Sequence, residues 1–537
     1  MKITLAQINP TVGALRDNCA KIKEIIDAYS SKSDIIVFPE MVLTGYPPQD
    51  LLLDHSFVNN AGNLLDELAN SSRDTPVVIG TIRQSESKLY NTAAVIQNGK
   101  IQAYRDKTHL PNYDVFDEHR YFTPAKLINP VELIINNKLY KLGIQICEDL
   151  WDADYELKVS KKLYDQGADL IINISASPYH IDRIMERTDM IKEKCKELKL
   201  YFIYCNLIGA QDELVFDGQS CIINSQGDMV ALCSDFKEHI QVVDLDNIKP
   251  LCKPDVCEEE QIYKALSLGV QDYFTKSGHS KAVIGLSGGI DSALTAAIAK
   301  NAIGANNVLG FAMPSQFSSN HSIDDARNLA HNLGIKFEII SIKEINHKML
   351  EDLSPIFNGS KTGLAEENLQ ARIRGNILMS VANKKRALLL NTGNKTETAL
   401  GYCTMYGDMA GALAVISDIN KSQVYAIANW LNNHMDEEII PYNSISKPPS
   451  AELRPEQVDP FDYDIVSPLV DILINEPGKA SELEKEGYDY ELIEDLLKKI
   501  RFSEYKRRQA PPGIRVSSKA FGLGRRYPII NAYAVYK

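Results

Sequence analysis

Residues 286–292 read LSGGIDS, at the end of an apolar run and ahead of a helical pattern. Gly288 and Gly289 let the backbone approach a ligand closely. Their amides, with those opening the next helix, present N–H donors to an anion. The phosphate loop of nucleoside-triphosphate hydrolases carries a lysine beside its serine or threonine. Here Asp291 stands beside Ser292. A carboxylate among phosphates is repulsive unless a cation intervenes, so Asp291 is expected to hold Mg²⁺. A loop that grips pyrophosphate, bridged by metal, suits cleavage between the α and β phosphates of ATP. A glycine turn with an ordinary aspartate at a helix start is the competing reading of the same residues.

The elements around this loop set its context. A chain of 537 residues is too long for one hydrophobic core. Residues 1–245 alternate β-rich runs (SDIIVFPE, TPVVIGTI, YNTAAVIQNGK, LYKLGIQICED, ADLIINISAS, LYFIYCNLIG, SCIINSQGD) with helical patterns. A layered α/β domain is expected there, then a linker over 246–260 rich in Pro and charge, then a second domain over 261–537. In the second domain KAVIGLS, NNVLGFAMP, KFEIISI and RALLLNTG alternate with helical stretches, which implies a doubly wound parallel sheet. Ligands bind beyond the carboxyl ends of such strands, where LSGGIDS and NTGNKTE both fall. A net charge of −13 argues against nucleic-acid or acidic-membrane binding. No apolar run is long enough for a membrane span, and MKITLAQINP reads as a strand beginning at once. Nine cysteines without a CxxC pair suit reduced thiols in the cytoplasm, mostly as small buried hydrophobes, and disfavour structural zinc.

SGGxDS resembles the pyrophosphate loop of the ATP-adenylating amidotransferases and thiolases. Within that group the second half resembles the NAD synthetases through EENLQARIRGN (366–376), NTGNKTETALGYCTMYGD (391–408), KPPSAELRPEQ (447–457) and EYKRRQAPPGIRVSSKAFGLGRRYP (504–528). The resemblance implies a Rossmann-like domain with ATP at Ser287, Gly288, Gly289, Ile290, Asp291, Ser292 and Thr392. It implies Mg²⁺ on Asp291 and Glu397, and deamido-NAD at Asn368, Glu397 and Lys519. Residues 501–526 hold eight Lys/Arg against one acid, Glu504, and a dinucleotide with two phosphates and a carboxylate suits such a tail. Asn391 stands where related enzymes often have glycine.

An amide-forming ligase needs nitrogen. Lys2 follows Met1, against the glutaminases that use an N-terminal cysteine, and the ten histidines show no Cys-His-Glu signature. The first half instead resembles the nitrilase/amidase family through IIVFPEMVLTGYPPQDLL (35–52), YRDKTHLPNYDVFDEHRYF (104–122) and LGIQICEDLW (142–151). The resemblance implies a nitrilase-like α/β sandwich with a triad at Glu40, Lys107 and Cys147. The thiolate would be the nucleophile, Glu40 the general base and Lys107 the stabiliser of the tetrahedral anion. Glu118 is similar to the family's supporting second glutamate. Tyr113, Ser177 and Arg183 are implied around bound glutamine, with Arg183 on its α-carboxylate. Asp114 stands where glycine is common in the family.

Together these resemblances imply ATP-dependent amidation of deamido-NAD to NAD through an adenylate, with ammonia from glutamine, in a homo-oligomer. An adenylating amidotransferase for another carboxylate stays open on the residues alone. So does a non-catalytic relative that keeps only the folds, although the intact residue sets weigh against it. A tRNA-thiolating enzyme is disfavoured by the acidic charge and the missing CxxC pair.

Overall fold

Runs such as IIV at 35–37 and LIINIS at 170–175 have no polar face, so they suit strands covered on both sides. The computed structural model describes residues 1–252, 256–435, 437–455, 457–476 and 478–533, and the chain divides into two units, Met1–Asp255 and Val256–Lys537. Part of the expected linker (253–255) and part of the expected second domain (436, 456, 477 and 534–537) lie outside the described residues.

Among the described residues the first unit holds fourteen strands. They are β1 Lys2–Gln7, β2 Ile35–Val37, β3 Val77–Ser85, β4 Lys88–Gln97, β5 Lys100–Asp106, β6 Val131–Ile135 and β7 Lys138–Ile146, then β8 Leu170–Ser175, β9 Phe202–Asn206, β10 Ile208–Gln211, β11 Leu214–Asp217, β12 Cys221–Ile223, β13 Met229–Leu232 and β14 His239–Asp244. Two six-stranded sheets, in the orders β14-β1-β2-β3-β4-β5 and β13-β12-β9-β8-β7-β6, share a core of residues such as Leu5, Val37, Val78, Ile144, Ile172 and Ile203. Helices α1 (Leu15–Tyr29) and α2 (His55–Ser71) pack on the first sheet, and α3 (Val159–Asp165) and α4 (Arg183–Leu198) on the second. The result is a four-layered sandwich. Glu40, Lys107, Cys147 and Ser177 all lie just past the carboxyl ends of strands, namely β2, β5, β7 and β8.

In the second unit β15 (Ala282–Gly285), β16 (Val308–Ala312), β17 (Lys336–Ile339), β18 (Leu388–Asn391) and β19 (Leu413–Ala414) form one parallel sheet in the order β17-β16-β15-β18-β19. Strand order reverses between β15 and β18, and that switch point opens a crevice at the carboxyl ends. The helices that serve it are α5 (Glu258–Lys276), α6 (Ile290–Ile303), α7 (Asn320–Leu333), α8 (Lys343–Phe357), α9 (Leu364–Lys385), α10 (Lys395–Leu400) and α11 (Lys421–Met435). The first of them begins at Glu258, inside the segment read as linker, because three successive glutamates there suit a helix N-terminus. Helix α6, nearly all apolar, is buried from Ser292 to Ala299. Helix α9 sends Ile373 and Leu378 into a core with Val283 and Leu389.

Six of the nine cysteines are buried; Cys252 is exposed, and Cys257 and Cys403 are half-buried. Among the described residues no helix is long and apolar enough to cross a membrane.

Candidate active sites

Gly80 on β3 determines where Glu40 goes. A Cβ there would lie 2.2 Å from Pro39 O and 2.5 Å from Glu40 Cα, so only glycine lets the chain after β2 fold against β3. Glu40 is fully buried. Its Oε1 accepts from Asn91 Nδ2 (2.6 Å) and Lys107 Nζ (2.9 Å), and its Oε2 from Ala176 N (2.8 Å). Lys107 Nζ also donates to Glu118 Oε1 at 2.8 Å, which accepts from Tyr46 Oη at 3.0 Å. Burial alone would lower the Lys107 ammonium, but Glu118 and Glu40 hold it well above its ordinary value. Glu118 is pushed up to about 6, chiefly by burial.

Cys147 is the first residue past β7 and has φ 42°, a left-handed conformation that a non-glycine residue holds only where its surroundings impose it. Its side chain is buried. Burial first, and then the Glu40 charge, push the thiol well above its ordinary range, while Lys107 works against them. The thiol therefore rests protonated beside a base and an ammonium group.

Tyr113 Oη lies 3.0 Å from both carboxylate oxygens of Glu148, and Tyr155 Oη donates to Oε1 at 3.1 Å. Burial raises the Glu148 carboxyl, and Lys107 and Arg183 are near enough to oppose that. Arg183 donates through Nε (3.3 Å) and Nη2 (3.2 Å) to Ser177 Oγ and stacks 3.7 Å over the Trp151 ring. Ser177 N donates to Asn206 Oδ1 at 3.0 Å. Tyr113 thus bonds one buried acid next to Cys147, Arg183 lies near enough to act on its charge, and Ser177 holds Arg183. Sequence reading missed that acid, although its adjacency to the cysteine was a usable signal. Asp114 has φ 52°, in the left-handed region that glycine enters freely and aspartate tolerates.

In the second unit the loop of residues 286–289 turns from β15 into α6. Gly288 has φ 77°, and a Cβ on it would meet Ser322 O at 2.3 Å. Ser287 Oγ lies 3.2 Å from Ser292 Oγ and accepts from Gly289 N at 3.1 Å, which braces the turn. Thr392 lies between β18 and α10, one strand over. Asn391 accepts from Gly393 N (2.9 Å) and donates to Asp408 O (2.5 Å), bracing the same loop. Asn394 and Glu397 cap α10 reciprocally, and Asn394 Nδ2 donates to Asp291 Oδ1 at 3.1 Å.

Asp291 and Glu397 do converge, with Lys421 between them. Its Nζ is hydrogen-bonded to Asp291 Oδ2 and lies 3.9 Å from Glu397 Oε1. Burial and then Asp291 push Glu397 up to about 8. Nothing in the sequence pattern marked Lys421, which lies 24 residues beyond Glu397. Among the described residues no three Asp, Glu, His or Cys side chains meet at a metal position. Two carboxylates are an oxygen donor set of the kind a hard cation takes, and Lys421 Nζ stands between them.

Asn368 accepts from Thr404 Oγ1 at 2.8 Å, and Lys519 is half-buried; neither is hydrogen-bonded to Asp291 or Glu397 among the described residues. The basic tail is not one open surface. Lys506 donates to Gly401 O and Cys403 O, and Arg507 to Thr398 O and Ala399 O, so both cap the C-terminal end of α10. Arg508 pairs with Glu504.

Residues 2–249 match the carbon-nitrogen hydrolase family model and residues 262–510 the NAD synthase model. The chain is 42% identical to the glutamine-dependent NAD(+) synthetase of Synechocystis sp. and 40% identical to that of Thermotoga maritima, in each case over 99% of both chains. The solved structure of glutamine-dependent NAD+ synthetase from Acinetobacter baumannii in complex with adenosine diphosphate matches at TM-score 0.79 and 35% identity, over 99% of this chain and 98% of that one. The Cytophaga hutchinsonii glutamine-dependent NAD(+) synthetase shares the fold at TM-score 0.85 and 22% identity, over 99% and 98%. Two intact domains, full-length coverage and identities near two residues in five leave one conclusion: the chain belongs to the glutamine-dependent NAD(+) synthetases, ligases that form a carbon–nitrogen bond with nitrogen from glutamine.

Proposed function

We propose that residues 1–245 release ammonia from glutamine at Cys147 and that residues 261–537 use it to amidate deamido-NAD after activation by ATP. The observation that carries this reading is the buried Glu40–Lys107–Glu118 cluster, with buried Cys147 just past the end of β7. Arg183 takes the α-carboxylate of glutamine, Glu148 its α-ammonium, and Tyr113 and Ser177 shape the pocket. As the Cys147 sulfur attacks the amide carbon, its proton passes to Glu40. Lys107 Nζ faces the developing oxyanion. Glu40 returns the proton to nitrogen, and ammonia leaves a glutamyl thioester. Glu40 then deprotonates water, which attacks the thioester to give glutamate and restore the thiol.

In the second unit the backbone at Ser287, Gly288, Gly289, Ile290 and Ser292, with Thr392, binds the ATP phosphates. Asp291 and Glu397 would hold Mg²⁺, and the ion supplies charge neutralisation of the pyrophosphate. Lys421 keeps the two carboxylates from repelling each other and adds a positive charge facing the phosphates. Asn368, Glu397 and Lys519 orient deamido-NAD so that a nicotinate carboxylate oxygen meets the α-phosphorus as pyrophosphate departs. Ammonia then attacks the acyl carbon, AMP leaves, and the extra proton passes to solvent. We also place the chain in the cytoplasm, on its free thiols, and as a homo-oligomer, which light scattering would measure.

Supplying amide-¹⁵N glutamine, deamido-NAD, ATP and Mg²⁺ tests the whole scheme. The expected products are NAD heavier by the label, AMP and pyrophosphate. Release of ADP and phosphate, or unlabelled NAD, would overturn it.

A further inference from the structure

Three backbone amides of the first unit converge on one carboxylate that the proposed chemistry does not use. Asp149 Oδ1 accepts from Thr108 N (3.0 Å) and His109 N (2.8 Å), and Oδ2 accepts from Ile146 N (3.0 Å). The side chain is 1% exposed, and among the described residues it forms no ion pair. Thr108 and His109 immediately follow Lys107, and Ile146 immediately precedes Cys147. Those two segments leave different sheets, since β5 ends one and β7 belongs to the other. One side chain therefore ties the exit of the lysine strand to the exit of the cysteine strand.

A carboxylate is an expensive choice for this tie. Burial pushes it up to about 7, against the amides of His109 and Ile146 and the Lys107 charge, all of which favour the ionised form. An asparagine would avoid that penalty, but its amide nitrogen cannot accept, so it would leave one side of the tie unmade. A carboxylate has acceptors on both oxygens, one turned to each segment. The bond to Ile146 N also closes the turn that holds Cys147 at its left-handed φ of 42°.

We propose that Asp149 is a positioning residue that holds the Lys107 ammonium in register with the Cys147 sulfur. This rests on the reading of Lys107 and Cys147 given above. A misplacement of about 1 Å lowers catalysis by roughly 10²-fold with little effect on ground-state binding. In the full-length Asp149→Asn enzyme, kcat for glutamine hydrolysis should fall by about that factor while KM for glutamine stays within roughly threefold, the pattern of an interaction needed only in the transition state. Ammonium-dependent NAD synthesis by the same protein should match wild type, which reports a folded second unit, and the retained KM for glutamine reports a folded first unit. Should the variant not fold, replacing Thr108 by its α-hydroxy analogue removes a single N–H donor, keeps every side chain, and should lower kcat without raising KM.

Near-wild-type kcat in Asp149→Asn, or a loss carried by KM alone, would overturn the proposal. So would a fall in ammonium-dependent synthesis equal to the fall in glutamine hydrolysis, because that would mark a general structural role. Cys147→Ala measured alongside separates the two levels. If it still hydrolyses glutamine, the reading of the site has failed. If it is inactive while Asp149→Asn is not, only the positioning role has failed.

Discussion

Burial and then the Glu40 charge push the Cys147 thiol up while Lys107 opposes them, which favours a nucleophile that forms during attack. That places the demand on its neighbours, and Lys107 is the most constrained of them. It is 1% exposed, with two carboxylates on one ammonium group. Removing one partner of such a group typically costs about 3–5 kcal/mol, because a buried charge loses its compensation. Glu118 offers a gentler probe. Burial pushes it up to about 6, so it protonates as pH falls through that value and loosens its hold on Lys107. Glutamine hydrolysis should show an acid limb near pH 6 that disappears in Glu118→Gln, whose residual rate is flat there. A stability effect of this group has the opposite sign. Folding raises its pKa, so its contribution is present at acid pH and lost as pH rises through about 6, and unfolding driven by this group cannot account for an acid limb. In the other unit Glu397→Gln should lower NAD synthesis by about 10²-fold or more by removing charge from the site read as Mg²⁺-binding, while glutamine hydrolysis persists. Synthesis near wild type at limiting Mg²⁺ would remove Glu397 from that role. The residues a motif could mark, such as Glu40, Lys107, Cys147, Asp291 and Glu397, were legible because each sits in a distinctive local string. Lys421, Asn91 and Asn206 were not, because only the fold brings them near and nothing in their neighbours signals it.

At the scale of elements, two glycines decide whether the sites form. Gly80 lets Glu40 sink against β3, and Gly288 lets the phosphate loop touch the start of α7. Alanine at 80 has no space, since the obstructing atoms are backbone. Gly80→Ala should abolish glutamine hydrolysis through displacement of Glu40 and leave ammonium-dependent synthesis intact. Gly288→Ala adds strain at positive φ, on the order of 1–3 kcal/mol, to a clash with Ser322 O. It should do the reverse, depressing synthesis with either nitrogen source while glutamine is still hydrolysed. Assaying both half-reactions in both variants checks the pair. Strands were legible where they were covered on both faces. Those absent from the sequence reading include β5, β6, β13 and β14, the four edges of the two sheets. Burial alternates along β6, and β5 is exposed or half-exposed throughout, so neither carries a continuous apolar run. The hairpin of β10 and β11 hid for another reason: β10 follows β9 after a single residue, and the two read as one strand.

For the whole molecule, the two units carry separate cores, with one centred between the paired sheets and another on the parallel sheet. Domains with their own cores tolerate local damage independently. Cys147 lies at the rim of the first unit's sandwich, and truncating it removes a sulfur without emptying a large volume. Cys147→Ala should therefore lose glutamine-dependent NAD synthesis and keep its fold. Ammonium at high concentration should restore synthesis, because ammonia in solution can reach the acyl adenylate directly. Wild-type enzyme quenched during turnover can carry a glutamyl group on the peptide containing Cys147 if the thioester breaks down slowly, and the variant cannot. Mass spectrometry of that peptide, with and without glutamine, distinguishes them. A variant that still uses glutamine well would place the nucleophile elsewhere. A folded variant that binds ATP and that ammonium fails to rescue would mean that Cys147 acts in the synthetase step itself, and the division of chemistry between the two units would have to be redrawn.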